Sequence, residues 1–337
     1  MSFSLTDNGT HPIALIKNGK KAKYIYLITD DHPLIVDESS SSSSSDSDDE
    51  EVSVLDEKNL DEATIAAAVK LMKSGGSLRE AFKRLEVSGG GKRKKRSRAR
   101  AKAVVPPVLF KSYTLKPGEE IETVPSAKPE RLFLAGQTGG GKSYLTAQYA
   151  KRWKKIFPEG TIYAFLRQED ENYNDFKKRE IIMDWNYEDL EDESHTESNK
   201  NYLQKLVDVE ITLDELHNSL LIVDDCDNLQ DKKLSTAIHK LLNDAVHNGR
   251  KRSIWVVYIS HMIFNYAKTR DMLTASNKVF MFPGGVDDTQ IEAYLQKFGG
   301  YKKKPAEELL RGFTSTWIML ARQRPRYFLH RKGLFIA

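Results

Sequence analysis

From about residue 130 onward, short continuous apolar runs alternate with longer stretches in which apolar residues recur every three or four positions. Continuous runs read as strands buried on both faces, and the helical-period stretches read as helices laid against them. On this pattern strands are expected at 131–135, 161–166, 219–223, 253–259 and 276–282, with helices at 144–156 and 232–247. Strand and helix alternating in this way specify a parallel sheet covered on both faces. Two last apolar stretches, 312–320 and 326–336, flank Arg324-Pro325 and read as a terminal hairpin.

The first hundred residues are written differently. Ile13 to Ile16 and Tyr24 to Ile28 flank Asn18-Gly19, the signature of a tight hairpin, so residues 1–38 read as a small appendage. A lone hairpin is marginal in water and has to dock on something. Seven serines, Ser39 to Ser45, lead into Asp46-Ser47-Asp48-Asp49-Glu50-Glu51, and this acidic segment, 39–58, has nothing to bury and is expected to be disordered and open to phosphorylation. Residues 59–88 read as two short helices about Ser74-Gly75-Gly76, either an ordinary helical hairpin or a helix-turn-helix. The run from Gly75 through Ser77-Leu78-Arg79-Glu80-Ala81 resembles the opening of the recognition helix in transposase-type and pipsqueak-like DNA-binding domains. At 89–105 a triple glycine enters an arm with eight basic residues among the eleven from Lys92 to Lys102. Charge at that density tracks phosphates, is read as a nuclear address, or is a solvated linker. Pro106-Pro107 then marks the start of the folded region, 106–337.

Composition narrows the class. The chain has 337 residues, 39% of them hydrophobic and 30% charged, enough apolar content for a sizeable core. Its net charge of +4 matters less than the sorting of acids and bases into blocks. A single cysteine, Cys226, argues against an intrachain disulfide framework and a Cys-based zinc site. No run approaches the ~18 apolar residues of a membrane span, and Met1 to Asp7 lacks the form of a secretory signal. An intracellular protein with no membrane partner is expected.

The chemistry sits in three places. Gly136-Gln137-Thr138-Gly139-Gly140-Gly141-Lys142-Ser143 fits G-x-x-x-x-G-K-[ST] at every fixed position, between a predicted strand and a predicted helix. Such a loop turns backbone N–H groups toward phosphates, while Lys142 reaches the β/γ oxygens and Ser143 ligates Mg²⁺. About 80 residues later, Leu220-Leu221-Ile222-Val223 ends in Asp224-Asp225, a Walker B element. There Asp224 would hold Mg²⁺ and Asp225 would polarise the attacking water of ATP hydrolysis. The fourth strand ends in Ser260-His261, where either side chain could sit beside the γ-phosphate as a sensor.

With strand, loop, acid pair and polar-ended strand in that order, the segments Asn218 to Asp225, Gly249-Arg250, Ser260-His261, Thr269-Arg270 and Val279 to Pro283 resemble the FtsK-HerA superfamily. Within it the likeness is to genome-packaging ATPases of large double-stranded DNA viruses, virophages and polinton-like elements, over roughly residues 128–337. The resemblance implies a RecA-like P-loop sheet and a homo-oligomeric ring, hexameric by preference. It also implies ATP between subunits, an arginine from one protomer completing its neighbour's site, and translocation of double-stranded DNA into a capsid. Arg270 and Arg250 are the two candidates for that arginine. A capsid or portal-like contact would follow, with a location in the virion or host cell. Two other readings remain open: a nucleotide-regulated DNA-binding protein of the transposition-helper or initiator type, and a nucleoside or small-molecule kinase, which the double acid disfavours.

Overall fold

The computed structural model describes residues 2–5, 11–19, 21–28, 109–184, 193–208, 210–264, 266–283, 288–312, 315–323 and 326–337. The acidic linker at 39–58, the helical pair at 59–88 and the basic arm at 89–105 lie outside them. The chain divides into two compact units, Met1–Phe110 and Lys111–Ala337.

In the first unit, strands β1 (Ser2–Ser4), β2 (Pro12–Asn18), β3 (Lys21–Ile28) and β4 (Leu109–Phe110) lie in the order β4-β1-β3-β2. The hairpin stands where Asn18-Gly19 places it, with Asn18 opposite Lys21 and Gly19 at φ 58°. It is not alone, however. Antiparallel pairing of β1 on β3 and of β4 on β1 gives the hairpin the extra strands it needs, and Phe3, Ala14, Ile16 and Ile25 form its buried side.

The second unit opens with the strands β5 (Ser112–Thr114), β6 (Glu120–Thr123) and β7 (Arg131–Ala135). Helix α1 (Lys142–Ile156), strands β8 (Thr161–Leu166) and β9 (Arg179–Ile182), helix α2 (Glu193–Val207) and strand β10 (Ser219–Asp224) follow. Next come α3 (Lys232–Asn248), β11 (Ile254–Ser260), α4 (Tyr266–Ala275), β12 (Lys278–Met281), α5 (Asp288–Tyr294) and α6 (Lys303–Gly312). Strands β13 (Ile318–Ala321), β14 (Tyr327–His330) and β15 (Gly333–Ile336) end it.

One sheet holds ten of these strands in the order β5-β15-β14-β13-β12-β7-β11-β10-β8-β9. From β12 to β9 the pairing is parallel; from β12 back to β5 it is antiparallel. Every residue of β10, β11 and β12 is buried, as continuous apolar runs in a doubly covered parallel sheet should be. Side chains alternate between the two faces. Trp255 of β11 meets Trp153 of α1, so α1 covers the face that carries Trp255, Val257 and Ile259. Opposite it, Val256, Tyr258, Leu221 and Val223 pack with Ile238, Leu242 and Val246 of α3 and with Tyr202, Met272 and Ile291. Helix α3 is started by the Asp231 carboxylate, which accepts from the N–H groups of Lys233 and Leu234 at 2.8 and 3.2 Å.

At the C-terminal end β13 and β14 pair antiparallel, Ile318 opposite His330 and Ala321 opposite Tyr327, as the expected terminal hairpin requires, but the bounds differ. Helix α6 runs to Gly312, so its strand begins only at Ile318, and the stretch 326–336 breaks at Arg331-Lys332 into two strands. A strand at 179–182 and helices at 193–207 and 288–312 were not read from the sequence at all.

Candidate functional site

The strand that carries the glycine loop, β7, and the strand that carries the acid pair, β10, are not neighbours: β11 runs between them. Ala135 pairs with Ser260, and Asp224 with Ile259, so loop, polar strand end and acids meet along one edge of the sheet. That edge is the carboxyl end of the parallel strands, where open α/β sheets form their ligand crevices. A cleft of about 530 Å³ lies there, lined by Thr138, Gly139, Gly141 to Ser143, Leu166 to Asp170, Asp224, Asp225 and His261 among others.

The loop is shaped by its glycines. Gly141 takes φ 92° as the residue before α1, a left-handed conformation that is costly for other residues. A side chain at Gly136 would put its Cβ 2.7 Å from Phe282 Cβ, so the loop can lie this close to the end of β12 only with glycine there. Lys142 is buried, and its ammonium donates to the carbonyls of Gly136 at 2.5 Å and Gln137 at 2.8 Å. Burial pulls its pKa down, against the opposing pull of Asp224 and Asp225.

The two acids have different partners. Asp224 Oδ2 accepts from Ser143 Oγ at 3.0 Å and from the Tyr173 hydroxyl at 2.9 Å. Burial raises its pKa, and the hydrogen bonds from Tyr173 and Ser143 and the charge of Lys142 act in the other direction. Asp225 follows in the left-handed region at φ 57°, where aspartate is tolerated better than most residues. This turn swings its carboxylate away from Ser143: Oδ1 lies 2.7 Å from His261 Nε2, and Oδ2 lies 3.6 Å from a terminal nitrogen of Arg167. His261 Nδ1 is 3.5 Å from Thr138 Oγ1, so one imidazole spans the glycine loop and the second acid.

Ser260 and His261, which the sequence left undivided, are separated here. Ser260 belongs to the α3 face of the sheet; its hydroxyl donates to Asp227 Oδ2 at 2.5 Å and lies 2.9 Å from Met262 O. Tyr258 donates to the other Asp227 oxygen at 2.6 Å. The Ser260 hydroxyl is thus engaged behind the strand end, and His261 is the polar group turned to the acid. Cys226 and His239 adjoin that network, Sγ to Nε2 3.9 Å. Arg250, just before β11, and Arg270, on α4, are both exposed, and neither lines the cleft of its own chain.

The segment after β8 was missed. Arg167, Gln168, Glu169, Asp170 and Asn172 line the cleft, and Tyr173 reaches Asp224. The signal was the abrupt change from Phe165-Leu166 to Arg167-Gln168-Glu169-Asp170 at a strand end. It became informative only once β8 was known to lie beside β10.

Ser143 and Asp224, a hydroxyl and a carboxylate in contact, are hard oxygen donors that suit a Mg²⁺ shared with substrate phosphates. Lys142 lies on one side of this pair and Asp225 is set apart from it, which is the donor and acceptor chemistry that triphosphate binding and water activation require.

No family model matches the chain. Uncharacterized protein V3 of Sputnik virophage is 27% identical over 206 residues, spanning 60% of this chain and 76% of that protein. The genome packaging NTPase B204 from Sulfolobus turreted icosahedral virus 2, in complex with ATP-gammaS, aligns with a TM-score of 0.39 and 12% identity. That alignment covers 60% of this chain and 97% of B204. The cytoplasmic domain of the Thermomonospora curvata type VII secretion ATPase EccC gives 0.40 and 12%, over 62% of this chain and 25% of that one. By its glycine loop, acid pair and interposed strand the chain has the P-loop NTPase fold.

Proposed function

We propose that the chain is an ATP-hydrolysing motor that moves double-stranded DNA into a viral capsid, working as a homo-oligomeric ring. The observation that carries the hydrolytic part is the division of labour between adjacent aspartates. Asp224 is tied to Ser143, while Asp225, in a left-handed backbone conformation, meets His261 at the end of the neighbouring strand β11.

Ser143 and Asp224 would hold Mg²⁺, which supplies charge neutralisation on the β- and γ-phosphates when bound. The glycine-loop N–H groups and the amino end of α1 orient the phosphates. Lys142 turns its ammonium from the carbonyls of Gly136 and Gln137 to the β/γ oxygens. Asp225 accepts a proton from the attacking water, and His261 holds that carboxylate in place while sensing the loop through Thr138. Arg250 and Arg270, exposed on their own subunit, are the residues proposed to reach a neighbour's cleft. The motor part is supported by the resemblance and by the packaging NTPases to which the fold is similar. The basic arm at Lys92 to Lys102 is proposed to track DNA phosphates or to address the protein to a nucleus.

Steady-state hydrolysis with and without double-stranded DNA tests the reading. DNA should raise turnover, and Lys142→Ala should abolish it with or without DNA. Turnover indifferent to DNA would overturn translocation, and phosphate transfer to a nucleoside in preference to water would replace the motor by a kinase.

A further inference from the structure

Arg167 is fixed at the cleft edge from three directions. Its backbone N–H donates to Asp224 O at 3.2 Å, which ties it to the acid strand. Its carbonyl accepts from the Asp184 N–H at 2.9 Å, which ties it to the end of β9. The side chain repeats that second link, since Nε donates to Asp184 Oδ2 at 2.5 Å. Held by Asp184, whose hydrogen bond is the main cause of its raised pKa, the guanidinium stays charged and points a terminal nitrogen at Asp225 Oδ2, 3.6 Å away.

Asp225 is therefore contacted at both carboxylate oxygens from opposite sides, by His261 at the end of β11 and by Arg167 at the end of β8. One contact alone would leave the carboxylate free to rotate about its Cβ–Cγ bond, a torsion with broad minima. Two contacts fix its plane. At 3.6 Å the Arg167 contact is an ion-pair distance rather than a hydrogen bond, so it orients the carboxylate without occupying the lone pair that a water proton would need. Arginine suits the place better than lysine: one edge of the planar fork engages Asp184 while another faces Asp225, and a single ammonium cannot do both.

We infer that Arg167, itself oriented by Asp184, is a positioning residue that sets the plane of the Asp225 carboxylate for water activation; this rests on the hydrolytic reading above. The test is steady-state ATP hydrolysis by the full chain, comparing wild type with Arg167→Ala, Arg167→Lys, Asp184→Asn and the Arg167→Ala/Asp184→Asn double variant. Thermal unfolding is followed in parallel. Misplacing a reacting group is expected to lower kcat by roughly 10- to 100-fold in Arg167→Ala, with KM within about twofold of wild type. Arg167→Lys should recover part of that loss. Asp184→Asn should cost less than Arg167→Ala and add nothing on top of it, since Asp184 acts through the guanidinium.

An unchanged kcat would overturn the inference. So would a rise in KM at constant kcat, which would make Arg167 a phosphate-binding residue, or full additivity of the two substitutions. Because Arg167 is partly exposed, Arg167→Ala should unfold within a few degrees of wild type; a collapse in the unfolding midpoint that Arg167→Lys does not reverse would assign the residue to stability alone. Wild-type protein without any Lys142-dependent turnover would remove the hydrolytic reading, and this inference with it.

Discussion

Lys142 and Lys278 are equally buried, each 7% exposed, at opposite edges of the same sheet, yet their surroundings differ in kind. Lys278, at the amino end of β12, lies 2.9 Å from Glu130 Oε2 and donates to Val124 O at 3.1 Å. Glu130 in turn accepts from the Tyr149 hydroxyl at 2.7 Å and from the Ser126 N–H at 3.0 Å. That charge is closed on itself, and the cluster pins the segment before β7 to α1 and β12. Lys142, by contrast, binds two carbonyls of its own loop, and among the described residues no carboxylate pairs with it within 4 Å. A buried ammonium without a carboxylate partner is costly. The difference separates a charge closed by a carboxylate within the fold from one held by backbone carbonyls alone.

That contrast can be broken in order of effect. Lys142→Ala should reduce turnover by roughly 10³-fold or more, the scale on which phosphoryl transfer depends on a transition-state cation. It should leave the chain as stable as wild type or more so, because an unpaired buried charge is removed. Lys278→Ala should do the reverse, costing about 3–5 kcal/mol in denaturant unfolding because Glu130 is left buried and uncompensated. Turnover per folded molecule should survive. If the first variant proves the less stable of the two, the assignment of roles fails.

A finer test concerns Asp225. Its left-handed backbone favours aspartate over the longer glutamate, which is less tolerant of that conformation. Asp225→Glu should cost about 1 kcal/mol of stability and part of the turnover, whereas Asp225→Asn should keep stability and lose turnover. Equal stability of the two variants in thermal unfolding would show that the backbone does not dictate the choice.

The smallest effect is expected from pH. Burial lowers the pKa of His330 below 6.5, with help from the charge of Lys332, and its Nδ1 accepts from the Lys332 N–H at 3.4 Å. The unfolded chain therefore takes up this proton first as pH falls, so stability should decline as acidification passes the unfolded value of 6.5. His330→Gln should flatten that decline slightly, and an identical pH profile would remove His330 as a contributor.

Much of this was written in local sequence. The glycine loop, the acid pair and the polar end of β11 are each contiguous, and their flanking apolar runs fixed strand and helix without reference to the rest of the chain. What was not legible depends on adjacency. Ser260 and His261 could be told apart only when the face of β11 was known, because one residue's step reverses the side of the sheet. Arg167, Tyr173 and Asp184 belong to polar or irregular stretches whose meaning comes from β8 lying beside β10 and β9 beside β8. The two-residue break at Arg331-Lys332 was lost because the stretch 326–336 reads as one apolar run.

Helix α1 begins at the phosphate loop and ends in a cluster of rings. Trp153 stacks at a tilt against Phe157 and edge-on against Trp255, and its indole leaves no room for a side chain at Gly160. Lys142 and Trp153 are eleven residues apart along one helix, roughly 16 Å at 1.5 Å per residue. A rod of that length, joined at one end to the glycine loop and seated at the other in an aromatic socket, carries its own optical gauge. Tilting of the rod during a turnover cycle would register as a change in tryptophan emission, readable in real time on unlabelled protein.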